Sequence, residues 1–173
     1  MKKSRRRIKF IILIFGRSLS MENAIFFIDQ IEELRDYVKE LLRKETINEI
    51  LISGRFDNEV YQEIIDSVLL TDKINKLKII IPMVGRKGVV SRSYINKICR
   101  TGGHMKINSK YRNNIVIIGE YTLIISFCSK HHHNSFNKLN FESCVVTNAK
   151  EVVEKITNKF NQIWKHSLAL VEN

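Results

Sequence analysis

Three groups of side chains in this sequence have the types and spacing for chemistry. The first is His104-Met105-Lys106, an imidazole with an ammonium close by. An imidazole can act as a nucleophile or a general base near neutral pH. The second is Cys128 with His131 and His133, followed by Cys144. Cys-x2-His is a spacing that suits zinc, but a structural zinc site needs a second ligand pair and the sequence offers none. The third is a run of bases: Arg86, Lys87, Arg92, Lys97, Arg100, Lys106, Lys110 and Arg112, with Tyr94 and Tyr111 among them. Cations interleaved with rings can hold phosphates and stack bases, or simply form a solvated face.

Elements must position these groups. Residues 22–44 show apolar side chains at three- and four-residue spacing, from Phe27 and Ile28 through Ile31, Leu34 and Val38 to Leu41 and Leu42. That spacing predicts a leading amphipathic helix, packed on its own domain or serving as a dimer seam. Residues 49–53 and 77–81 are short buried strands, with a helix between them capped by Asp57. This is a βαβ unit with parallel strands. A loop at 85–88, a helix from Ser91 to Cys99 and an extended segment at 104–108 follow. Residues 114–118 and 121–127 predict a hairpin about Gly119-Glu120. A polar loop at 128–140, a strand at 141–147 and a closing helix capped by Asn148 or Thr147 complete the order. The helix's expected buried face is Val152, Val153, Ile156, Phe160, Ile163 and Trp164. The fold class is α/β, a mixed sheet flanked by helices.

Composition narrows the function. The chain has 173 residues, 44% of them hydrophobic and 27% charged, which suits one domain with a tail. Residues 1–20 hold seven of the 29 basic residues and none of the 18 acidic ones, so the rest of the chain carries +4 of the net +11. Most of the basic excess is thus a property of the tail. The apolar run Ile11 to Gly16, after Lys9-Phe10, is too short to cross a bilayer. Lys9 interrupts a leader-like pattern, and no small-residue cleavage site follows. The tail is a basic arm touching a membrane or nucleic acid through residues 1–16, or an extension ahead of a start at Met21. The domain is then 21–173. Three scattered cysteines exclude a disulfide scaffold and suit a reducing cytoplasm. No cofactor is expected.

The stretch from about 47 to 166 resembles one half of the phospholipase D superfamily. That family carries His-x-Lys-x4-Asp-x6-Gly-Ser-x-Asn, then an Asn-x-Glu strand and a closing amphipathic helix. The same spacing falls here on Arg112, Asn114, Gly119 and Ser126-Phe127-Cys128-Ser129, with Asn140-Phe141-Glu142 on the later strand. The resemblance implies a phospholipase D-like domain whose nucleophilic histidine is Arg112, whose lysine is Asn114 and whose aspartate is Gly119. A guanidinium cannot serve as the nucleophile at neutral pH, so the usual phosphodiesterase reaction is not expected. Arg112, Asn114, Ser129, Asn140 and Glu142 would instead bind an anion. A second register, on His104 and Lys106, recovers neither the aspartate nor the Gly-Ser turn.

The resemblance supports three functions. One is a non-catalytic domain binding an anionic small molecule or partner, similar to the effector-sensing domains of TrmB-type archaeal transcription regulators. Another is a homodimeric single-motif nuclease or phosphodiesterase using His104. The third is a nucleic-acid-binding module using the tail with Arg86, Lys87, Arg92 and Lys110.

Overall fold

The computed structural model describes residues 23–43, 47–54, 59–71, 73, 76–82, 92–111, 113–129 and 139–169. Their strands are β1 (Ile25–Ile28), β2 (Ile50–Ser53), β3 (Leu77–Ile81), β4 (His104–Ile107), β5 (Ile115–Ile118), β6 (Tyr121–Ser129), β7 (Leu139–Thr147) and β8 (Leu168–Ala169). Their helices are α1 (Ile31–Arg43), α2 (Glu59–Leu69), α3 (Arg92–Arg100) and α4 (Lys150–Lys165). The strands form one mixed sheet in the order β1-β7-β6-β5-β2-β3-β4-β8. β2, β3 and β4 run parallel, and β2 pairs antiparallel with β5 on its other side.

The short central strands are continuous apolar runs because both of their faces are covered. Ile50, Leu51 and Ile52 of β2 are at most 1% exposed. On one face, Ile50, Ile52, Val116, Ile118 and Leu123 meet Leu34, Val38, Ile64, Ile65 and Ile98 from α1, α2 and α3. A bidentate Arg35–Glu63 pair joins α1 to α2. On the other face, Leu51, Ile80, Ile115 and Ile117 meet Val153 and Phe160 of α4. Phe160 stacks on Trp164 at 6.2 Å. The α1 stripe of Leu34, Val38, Leu41 and Leu42 is buried in its own domain.

Three expectations need correction. The expected leading helix at 22–44 begins only at Ile31, and Ile25–Ile28 is instead a strand paired antiparallel with β7. Asn23 just before it is left-handed, with φ 78°, and this breaks the helix before it starts. Aromatic and β-branched residues then favour the extended form. Phe26 packs edge-on to Tyr37 at 5.2 Å, and Tyr37 to Tyr121 at 6.3 Å, which locks β1 and β6 to α1. The cap of α4 also differs. Ala149 is the N-cap and makes no side-chain bond. Asn148 Oδ1 accepts from Ala24 N–H at 2.7 Å, and Thr147 Oγ1 accepts from Ala149 N–H at 3.1 Å. Finally, Val152 is 38% exposed, because α4 lies over β5, β2 and β3 and leaves β1 and β7 open. The Asp57 cap lies outside the described residues.

Gly54 ends β2 where there is no room for a side chain. A Cβ there would stand 2.2 Å from Tyr61 Cζ. Tyr61 is fully buried and cannot swing away. Gly54→Ala therefore costs about 3 kcal/mol by overpacking. A lowered urea midpoint at unchanged slope would be the signature, and a shift under about 0.5 kcal/mol would contradict it.

Candidate functional site

Asn113, Asn114, Asn140 and Glu142 lie at one end of the sheet. The parallel strands β2 and β3 end here, β5 and β7 begin here, and β6 ends here. In open α/β sheets this carboxyl end is where ligands bind. Asn113 and Asn114 precede β5. Asn114 C=O accepts from Ile125 N–H at 2.9 Å, which extends the β5–β6 ladder by one residue. Ser53, wholly buried at the end of β2, donates its hydroxyl to Asn113 C=O at 2.9 Å. Tyr61 of α2 donates to Ser53 C=O at 3.2 Å. The entry to β5 is thus held from beneath by the end of β2.

Asn114 Oδ1 is buried with no hydrogen-bond partner among the described residues. A buried polar atom left so is costly. This one stands where the resembled family has its lysine.

Glu142 owes its position to a bulge. Ser126 pairs with Ser143 but Phe127 pairs with Phe141, so Glu142 is the extra residue. Bulges release a residue from the ladder and re-aim it. Glu142 is exposed at the sheet end. Asn140 pairs with Cys128, and Ser129 with Leu139, at the backbone level. The expected loop at 128–140 is therefore shorter: β6 continues through Ser129 and β7 starts at Leu139.

The wall under this end is aromatic and neutral. Tyr61 and Phe127 lie 5.9 Å apart. Burial, with Cys144 and then Tyr111 as lesser contributions, holds the Tyr61 phenol well above its usual value. Burial alone pushes the Cys144 thiol from 9.0 up to about 12. Neither group is a reactive anion near neutral pH.

His104 opens β4 opposite Lys78 at the start of β3, at the other end of the sheet. β3, β2, β5 and β6 separate its strand from β7. Lys106 is also committed elsewhere. Its ammonium donates to Trp164 C=O at 3.0 Å and sits 4.9 Å from the Trp164 ring. The His104–Lys106 pair is not brought to Glu142. Arg92 opens α3, and Lys110 is exposed two residues before the site. Arg86, Lys87, Arg112, His131 and His133 lie outside the described residues. No cluster of three or more His, Cys, Asp or Glu side chains is placed to hold a metal among the described residues. No described helix is long and apolar enough to cross a membrane.

Solved structures share this fold. The phospholipase D family member Nuc from Salmonella typhimurium matches with a TM-score of 0.62 at 17% identity, over 87% of this chain and 100% of that one. The fold is phospholipase D-like. NucT from Helicobacter pylori matches with a TM-score of 0.58 at 13% identity, over 86% and 99%. The archaeal chromatin protein TrmBL2 matches with a TM-score of 0.54 at 18% identity, over 88% of this chain. The phospholipase D-like domain here spans 56% of that longer protein. The sequence itself matches no family model and no curated protein.

Sequence reasoning missed the Glu142 bulge and the Tyr61–Ser53–Asn113 support. Both depend on contacts between distant segments, and no local residue pattern announces them.

The buried acids set a pH dependence. Cys144, Tyr61 and Tyr111 all have raised values in the folded state. Their contribution is intact below the unfolded values of 9.0 for the thiol and 10.0 for the phenols, and is lost as pH rises beyond them. The urea midpoint should fall steadily above pH 9. A midpoint constant to pH 11 would show that these groups are not desolvated.

Proposed function

We propose that this chain is a non-catalytic phospholipase D-like domain that binds phosphate groups of a nucleic acid at the sheet end described above. Arg112, Asn114, Ser129, Asn140 and Glu142 form the site, flanked by Arg86, Lys87, Arg92 and Lys110. The observation that carries this reading is the separation of His104 from Asn114 and Glu142. It supports binding without cleavage by the His104–Lys106 pair, because that imidazole opens β4 at the other end of the sheet. A guanidinium at 112 can grip a phosphate in bidentate fashion but has no lone pair to attack it. The buried Asn114 carboxamide oxygen is suited to orienting a neighbouring donor. TrmBL2, whose structure shows a novel mode of DNA binding, has a related fold, which favours nucleic acid over a small anion. The domain would serve as a regulatory or nucleic-acid-associated module and could act as a homodimer.

A salt titration with fluorescent single-stranded DNA and RNA tests this. Affinity should fall with salt at a log–log slope of about 0.7 per phosphate contacted. Arg112→Ala should weaken binding about tenfold, the size of one charge-assisted hydrogen bond. His104→Ala should change nothing. With Mg²⁺ present the oligonucleotide should remain whole. Cleavage that disappears in His104→Ala would restore the nuclease reading. Salt-independent binding, or none, would remove nucleic acid as the partner.

A further inference from the structure

We propose that residues 10–15 dock on the open edge of the sheet as a further strand, antiparallel to β1. β1 ends the sheet and has β7 as its one neighbour among the described residues. Asn148 N–H donates to Ala24 C=O at 3.3 Å, and the register is one-to-one from Ile25–Thr147 to Ile28–Cys144. Hydrogen-bonded and non-hydrogen-bonded pairs alternate in such a ladder. Phe26 and Ile28 therefore turn their backbone groups to β7, and Ile25 and Phe27 turn theirs outward.

This edge is apolar in its side chains as well. Phe27 pairs with Val145, and Val145 with Ile124, so the three form a row across β1, β7 and β6. The row lies on the face that α4 leaves open. Phe27 is 57% exposed, Ile25 46%, Ile124 39% and Val152 38%. Edge strands are ordinarily guarded by a charge, a proline or a bulge. Ile25-Phe26-Phe27-Ile28 contains no charge and no proline, and its pairing with β7 is regular.

The occupant is indicated by the chain leading into this edge. Residues 1–22 join directly to Asn23, whose φ of 78° suits a sharp turn. They contain Phe10-Ile11-Ile12-Leu13-Ile14-Phe15, six consecutive apolar residues rich in strand formers. Seven residues, 16–22, connect the two. They reach up to about 24 Å, against about 4.8 Å between neighbouring strands. A connection this short closes an antiparallel hairpin and is too short for a parallel crossover.

The antiparallel direction has a consequence for charge. The Phe10 end falls beside Ile28 and Asp29. Arg5, Arg6, Arg7 and Lys9 then emerge near Asp29, Glu32, Glu33 and Glu142, which are opposite in sign. They also emerge at the end of the sheet that carries Asn114, about four strand spacings away, or roughly 19 Å. The tail would thus supply phosphate contacts beside the candidate site. That role rests on the nucleic-acid reading, but the docking does not.

Hydrogen exchange on the full chain separates the two. Ile25 and Phe27 amides should exchange at least about tenfold more slowly in the wild type than in Leu13→Pro. Ile12→Asp/Ile14→Asp keeps every backbone donor and should give the same loss. Val116–Ile118 should be unchanged in all three, which shows that the fold survives. Equal exchange at Ile25 and Phe27 in wild type and variants would overturn the docking. Protection that grows with protein concentration would assign the edge to a second copy. Protection that needs added anionic lipid vesicles would assign it to a membrane surface. Either would likewise overturn the docking. If the docking holds but the variants bind the oligonucleotides as the wild type does, only the role of the tail in binding fails.

Discussion

Strand β2 is the constraint on which the rest depends. It pairs parallel with β3 and antiparallel with β5, and both of its faces are closed. Among the described strands, the parallel β2–β3–β4 pairings and the antiparallel pairings of β5, β6, β7 and β1 meet at β2. A buried strand with two neighbours and two covered faces has no freedom of register, because a slip by one residue would exchange its two faces. Its last residue, Ser53, carries that rigidity outward. The hydroxyl holds Asn113, and the carbonyl takes the Tyr61 hydroxyl. The backbone ahead of β5 therefore inherits its position from the core rather than from the loop around it. Sites built on rigid elements hold their geometry better than sites built on loops.

The chemistry at that end fits the support beneath it. Its described side chains are amides, hydroxyls and one bulged carboxylate, over an aromatic floor that stays neutral. The Cys144 thiol is shielded by burial, and the His104 imidazole is at the far end. The phospholipase D-like fold supplies the strand frame at this end. What stands in it can accept and donate hydrogen bonds.

Sequence reading succeeded where local signals were sufficient. Ile50–Ser53, Leu77–Ile81 and Ile115–Ile118 are isoleucine-rich runs between clear breakers, and Gly119, at φ 58°, makes the expected hairpin turn. It failed where a distant partner decides. Phe27 and Ile28 fit the stripe that continues through Ile31 and Leu34, so the strand before α1 looked like its first turn. Only β7 distinguishes the two. Asn148 and Thr147 both have helix-cap chemistry, yet Asn148 is recruited by Ala24 across the sheet edge. The largely polar stretch between Cys128 and Asn140 concealed the ends of two strands that bond to one another. Of the candidate site, spacing named positions 112, 114, 140 and 142, and the backbone of 114, 140 and 142 falls at one end of the sheet. The bulge that frees Glu142 and the buried clamp under Asn113 are tertiary.

The pairing of β1 with β7 joins parts of the chain that are made far apart in time. The Ala24–Asn148 bond closes a separation of 124 residues. A ribosome would release Ile25–Ile28 long before Cys144–Thr147 exists. Through most of synthesis this aromatic strand lacks its partner β7, while the βαβ core behind it can already form. The nascent protein therefore completes this edge late, and β1 stays uncovered on that side until β7 clears the exit tunnel.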